Sequence, residues 1–232
     1  MKKVKPLAND LLHLFFPHNC EGCGTDILDD NSILCANCFL QLPETSFTDK
    51  QGNPVEKIFY GRIHVQHATS LFYYSKDSML QHLITELKYH GNREIGVWIG
   101  RLMGQVSAAS QNFADVDAIV PLPLNPVREK KRGYNQAGLI ASGMQQVWDK
   151  PVITGAVARK IFTETQTHKD RITRWQTMQG VFEITDENQL ASKHILLIDD
   201  IVTTGATLES CGQIILNVPG TKLSIATAAY TV

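Results

Sequence analysis

Ile195-Leu196-Leu197-Ile198-Asp199-Asp200-Ile201-Val202-Thr203-Thr204-Gly205-Ala206-Thr207-Leu208 is the stretch on which the fold turns. Four consecutive apolar residues without alternation read as a strand covered on both faces, as in the parallel sheet of an α/β domain. The strand then opens at the carboxyl edge of its sheet, where ligands of open α/β sheets bind, and it presents Asp199 and Asp200 there, followed by a hydroxyl-rich turn. The spacing predicts a helix from Gly205 onward, with Leu208, Cys211 and Ile215 on one face and Thr203 or Thr204 placed to cap it. Exposed amides of its first turn and the threonine hydroxyls would donate to a phosphate, and Gly205 would let the backbone come close to that anion.

Carboxylates beside a phosphate cradle repel the ligand unless they face another part of it, and a ribose supplies that part. Acceptor-only side chains bind its 2′ and 3′ hydroxyls while the turn holds its 5′-phosphate. The stretch resembles, almost position for position, the phosphoribosyl pyrophosphate (PRPP) loop of the type I phosphoribosyltransferases. The resemblance implies Asp199 and Asp200 on ribose, and Thr203, Thr204, Gly205, Ala206 and Thr207 around the 5′-phosphate. A Walker B strand also ends in acids, but it needs a Gly-Lys-Ser/Thr loop, and no Gly-Lys pair occurs in the chain. The absence of a Gly-x-Gly-x-x-Gly fingerprint removes dinucleotide binding as a rival.

Cys20-Glu21-Gly22-Cys23 and Cys35-Ala36-Asn37-Cys38 form two Cys-x-x-Cys pairs separated by a short loop, a zinc-site spacing. Each pair folds as a tight knuckle, and two knuckles complete a closed four-thiolate shell. Disulfides and a thioredoxin-like redox pair are the alternatives. A closed site does no hydrolysis, so Cys20, Cys23, Cys35 and Cys38 are expected to hold structural Zn²⁺ in a segment too short to build its own core. Cys211 is read as a packed core thiol.

With 232 residues, a net charge of −1 and 43% hydrophobic residues, the chain fits one α/β domain plus a small zinc module. Leu7, Leu11, Leu12, Leu14, Phe15 and Phe16 predict a short amphipathic helix stopped by Pro17. The apolar run is too short for a signal peptide or a membrane span, so a cytoplasmic protein is expected. The polar stretch 45–57 reads as the linker, giving an amphipathic helix plus zinc finger over 1–50 and a phosphoribosyltransferase-like domain over 51–232.

Beyond it, Ala68 to Tyr74 predicts a strand and Met79 to Lys88 a helix, followed by the polar turn Lys88 to Arg93. Lys88 there is read either as a pyrophosphate contact or as a solubilising surface lysine. Asp117 to Val120 predicts another strand, and the prolines of Pro121-Leu122-Pro123-Leu124-Asn125-Pro126 are expected to lead the chain off the sheet without a helix. Arg128, Lys130, Lys131 and Arg132 come next, a cation cluster fit for pyrophosphate or for nucleic acid, with Tyr134 suited to a stacked base. The polar tract 159–180 reads as a lid before the strand pattern of Val181 to Ile184.

The order of these parts resembles the ComF/GntX family over nearly the whole chain. The features that carry it are the N-terminal knuckles, Pro-Leu-Pro before Arg-Gly-Tyr-Asn-Gln-Ala, Gln166-Thr167 before Arg174 and Gly180-Val181-Phe182, and the terminal PRPP loop. Thr177 stands where that family usually has Asn, and Lys169 where an apolar residue is usual. Two functions are implied. One is a transferase that moves phosphoribosyl from PRPP to a nucleobase or amine with Mg²⁺, with Lys88, Lys131 and Arg132 on the pyrophosphate. The other is a ComF-like accessory protein in competence, binding single-stranded DNA or partner proteins during DNA uptake, with PRPP as a regulatory ligand. No nucleophilic cysteine follows Met1, so glutamine-driven amination is not expected without a partner.

Overall fold

The computed structural model describes residues 18–27, 32–160 and 180–232. Four strands form a parallel sheet: β1 (Ala68–Tyr74), β2 (Ala118–Pro121), β5 (His194–Val202) and β6 (Lys222–Thr231), in the order β1-β6-β5-β2. Ile195, Leu196, Leu197 and Ile198 of β5 are fully buried, as their unbroken apolar run requires of a central parallel strand. Val152 adds an isolated parallel bridge outside Ile119. A second sheet pairs β3 (Val157–Arg159) with β4 (Phe182–Ile184) antiparallel, so the strand expected near Val181 joins a hairpin-like ribbon rather than the main sheet.

The described helices are α1 (Ala36–Leu40), α2 (Pro54–Phe59), α3 (Met79–Thr85), α4 (Arg93–Ala109), α5 (Pro126–Arg132), α6 (Gln136–Gln145) and α7 (Ala206–Leu216). Leu80, Leu83 and Ile84 of α3, Ile95 and Ile99 of α4 and Ile140 of α6 bury one face of the sheet together with Leu196 and Ile198. Val55 and Phe59 of α2 and Leu208, Cys211 and Ile215 of α7 cover the other, against Ile195 and Leu197. This alternation splits β5 between two cores. Helices α4 and α6 cross closely at Gly100 and Gly143, where a Cβ on either would overlap the backbone of the facing helix.

Three local expectations are corrected. The stretch 45–57 is not a linker: Phe47 and Val55 are core residues, and the buried Asn53 side chain caps α2 by accepting from the amides of Val55 and Glu56. Its amide also donates to the carbonyl of Ala68 at 2.8 Å, which ties the segment to β1. A helix does follow the proline run, because Asn125 accepts from the amides of Val127 and Arg128 and Pro126 occupies the first turn, where its missing N–H costs nothing. The helix from Met79 does not stop in a turn at Lys88. It continues as a π-helical turn, Glu86–His90, closed by Gly91 at φ 81°. Such turns are uncommon and concentrate at functional sites.

The amphipathic segment Leu7 to Phe16 and nearly all of the lid tract 159–180 lie outside the described residues. Among the described residues no helix is long and apolar enough to cross a membrane.

Candidate functional site

Asp199 and Asp200 sit where β5 reaches the carboxyl edge of the sheet. Successive strand residues point to opposite faces, and the two carboxylates meet different surroundings. Asp200, 6% exposed, forms an ion pair with Lys88, whose Nζ lies 2.8 Å from its Oδ2. Asp199 accepts from the amide of Asp200 at 2.8 Å and lies within the fields of Lys88 and Arg159. Desolvation, and then the charge of Asp200, push the Asp199 carboxyl up to about 8.

The turn that follows carries Thr203, Thr204 and Thr207 exposed around a shallow pocket of about 50 Å³ lined by Asp199 and residues 201–208. Neither Thr203 nor Thr204 caps α7. The cap is Gly205 itself, at φ 71°, and it makes no side-chain cap hydrogen bond. Gly205 is needed for a reason beyond anion approach: a Cβ there would lie 2.5 Å from Ile58 Cγ2 and 3.0 Å from Phe59 Cε1 of the helix beneath. Arg62, just past α2, donates to the carbonyl of Thr204 at 2.8 Å and forms an ion pair with Glu209. The loop is therefore braced from below by Ile58, Phe59 and Arg62, at and just past the end of α2.

Lys88, Lys131 and Arg132 come together. With Tyr89, His90, Gly91, Arg128 and Tyr134 they line a cleft of about 600 Å³ between the π-helical turn and α5. The cation cluster thus faces the same space as the lysine paired to Asp200. Tyr134 is not available for stacking: it is 8% exposed, its hydroxyl donates to the carbonyl of Leu87, and the Arg93 guanidinium sits 4.8 Å from its ring centre. The exposed aromatic is Tyr89 instead, 72% exposed, with the Arg132 guanidinium 5.6 Å from its ring centre. Sequence reading passed over Tyr89 and Arg62, since nothing local marks either. Arg159 packs over Phe182 at 5.3 Å, and burial and the charge of Arg128 lower its pKa.

The sulfur atoms of Cys20, Cys23, Cys35 and Cys38 all lie within 4.8 Å of one another. Cys23 Sγ and Cys35 Sγ are 3.7 Å apart. A tetrahedral zinc with bonds of about 2.3 Å requires sulfur separations of about 3.8 Å, so the donor set fits Zn²⁺. The amides of Gly22 and Cys35 both point at Cys20 Sγ, at 3.4 and 3.2 Å, which suits a thiolate ligand. Cys211 is buried against Leu208 and Ile215, where burial pushes its thiol up and out of reactive range.

Residues 130–231 match the model of the phosphoribosyl transferase domain. Over 216 residues the chain is 24% identical to Competence protein F of Haemophilus influenzae, spanning 92% of that protein and 87% of this chain. It is 30% identical to Competence protein ComFC of Bacillus subtilis over 62% of this chain and 56% of that protein. It is also 30% identical to the DNA utilization protein YhgH of Salmonella typhi, over 58% and 60%. The match therefore spans little more than half the length of the latter two. Among solved structures it is similar to the glutamine PRPP amidotransferase from B. subtilis, at a TM-score of 0.45 and 12% identity over 62% of this chain and 30% of that one. The parallel sheet with its acid-bearing β5 and the matched domain define a phosphoribosyltransferase-type α/β protein with an N-terminal four-cysteine cluster. Within that class, the chain is similar in sequence to proteins named for competence and DNA utilization, Competence protein F, ComFC and YhgH among them.

Proposed function

We propose that the chain binds PRPP with Mg²⁺ at the carboxyl edge of β5 and transfers the phosphoribosyl group to a nucleobase or amine. One observation carries the reading: the ion pair of Lys88 with Asp200 joins the acid pair and threonine loop to the cation-lined cleft. The residues then divide by chemistry. Thr203, Thr204, Gly205, Ala206 and Thr207 hold the 5′-phosphate, Asp199 and Asp200 orient the ribose hydroxyls, and Lys88, Lys131 and Arg132 receive the pyrophosphate.

In the reaction the bond from C1 to the pyrophosphate oxygen breaks with the electron pair leaving on pyrophosphate. A bond from C1 to the acceptor nitrogen forms, and that nitrogen gives up a proton. Positive charge on the ribose ring in the transition state is favoured by the neighbouring acids, and charge on the leaving group by the three cations. Mg²⁺, when bound, neutralises pyrophosphate charge, and the hard carboxylate oxygens of the acid pair suit it. Zn²⁺ on the four cysteines makes the N-terminal knuckles a structural module, and the sheet with its helices forms the PRPP-handling domain of a cytoplasmic protein.

A second reading has its own support. The relatives are named for competence and DNA utilization, and the cleft sets an exposed Tyr89 beside Arg132, an arrangement that also suits a nucleic-acid strand. In that reading the protein is an accessory to DNA uptake, binding single-stranded DNA or partner proteins, with PRPP as a regulatory ligand.

Pyrophosphate release from Mg²⁺-PRPP, measured against a panel of nucleobases and amines with D200N as control, tests the two. Acceptor-dependent release absent in D200N supports the transferase. PRPP binding without turnover supports the accessory protein, and no PRPP binding at all overturns both assignments of the loop.

A further inference from the structure

One stretch of chain, Met79 to Asn92, touches the zinc knuckles at both of its ends and the cleft in between. At its start, Gly22 packs so closely that a Cβ would lie 2.7 Å from Met79 Sδ and 2.9 Å from Cys38 Sγ. Along its length, Leu80, Leu83, Ile84 and Leu87 share a core with Cys20, Ile33, Leu34, Cys38 and Leu42 of the knuckle module. At its end, Asn92 Nδ2 donates to Glu21 Oε1 at 2.8 Å, and Glu21 lies inside the first Cys-x-x-Cys pair. Between these anchors the π-helical turn Glu86–His90 carries Lys88, Tyr89 and His90 into the cleft, with Lys88 on Asp200.

The π-helical turn is the last turn of the helix that begins at Met79, so whatever anchors its end at Gly91 and Asn92 fixes where Lys88 points. Here Gly91 in the left-handed region ends the turn, and Asn92 follows at once, beginning a helix that its own side chain does not cap. The Asn92 side chain is spent on Glu21 instead.

We propose that Glu21 and Asn92 are positioning residues for the anion cleft: the zinc-bound knuckle, through their hydrogen bond, holds the π-helical turn so that Lys88 faces Asp200 and the pyrophosphate. The zinc module on this view sets the affinity of the cleft for a polyphosphate and is more than a separate appendage. The inference rests on the reading of the cleft as a pyrophosphate site.

The test is calorimetric titration of full-length, zinc-loaded protein with inorganic pyrophosphate and Mg²⁺, beside zinc content by metal analysis. E21A and N92A each remove the bond while leaving the four cysteines intact, and E21Q keeps an acceptor oxygen. We expect E21A and N92A to weaken pyrophosphate binding about tenfold, as loss of a hydrogen bond to a charged group does, with one zinc per chain retained and E21Q near wild type. A K88A reference should lose at least as much. Unchanged affinity in E21A and N92A overturns the proposal, and so does E21Q weakening binding as much as E21A. Failure of the wild type itself to bind pyrophosphate overturns the underlying reading of the cleft, a result distinct from either.

Discussion

Lys88 Nζ reaches Asp200 Oδ2 at 2.8 Å, from a π-helical turn on one side of the sheet to the carboxyl end of its central strand. The pair is mostly shielded, and Lys88 also lines the cation-rich cleft. An ion pair of this kind is costly to break from one side, because the remaining charge is left desolvated.

Replacing Lys88 by methionine should therefore lower pyrophosphate affinity by roughly 10- to 100-fold, the range expected for losing a charge-assisted contact. D200N should abolish Mg²⁺-dependent PRPP binding with the far-ultraviolet circular dichroism spectrum unchanged. Calorimetry on both variants checks this, and wild-type affinity in D200N would remove Asp200 from the site.

Asp199 gives a signature in pH. Its carboxyl is raised from an ordinary 3.8 to about 8 in the folded protein, so between those values the native state binds more protons than the unfolded one. Stability of the ligand-free protein should therefore fall as pH rises through that window, and D199N should flatten the slope. Melting temperatures at pH 5, 6, 7 and 8 read it directly. Binding of Mg²⁺-PRPP at pH 7 should release a proton as Asp199 ionises, visible as a dependence of binding enthalpy on buffer, and D199N should lose that dependence.

Gly205→Ala combines a disfavoured backbone region with a methyl group 2.5 Å from Ile58 Cγ2. It should cost roughly 1–3 kcal/mol of stability and displace the threonine turn that precedes α7. Denaturant unfolding gives the first number and ribose 5-phosphate titration the second effect. Arg62→Ala should behave differently: its partly exposed ion pair with Glu209 contributes less than about 1 kcal/mol to stability. Loss of its bond to the Thr204 carbonyl should still weaken 5′-phosphate binding several-fold.

For the cysteine cluster, the purified protein should carry one zinc per chain, and Cys23→Ser or Cys35→Ser should lower that content sharply. Chelation should melt the knuckle region first, since Cys20 and Cys38 are buried among residues the metal would cross-link. Metal analysis with hydrogen exchange of residues 18–27 and 32–42 reads both. Full zinc retention in Cys35→Ser would exclude a four-thiolate site.

Sequence by itself determined the features that are local. The unbroken apolar run Ile195 to Ile198 required a strand buried on both faces, the acid pair and threonine turn had to follow at its end, and the Cys-x-x-Cys spacing brought each pair of thiols to one side of a turn. Their physics is settled within a few bonds of chain. Only the tertiary structure decided which distant groups meet them: Lys88 on Asp200, Arg62 on Thr204, Ile58 and Phe59 under Gly205, and Glu21 on Asn92. It also reversed two local impressions. Tyr134 is buried under Arg93 while Tyr89 is exposed, and the polar stretch 45–57 hides Phe47, Asn53 and Val55 in the core. Polarity along the chain measures how a residue interacts with water, but which residue loses that water depends on the packing of segments far apart in sequence, and no short window of sequence contains it.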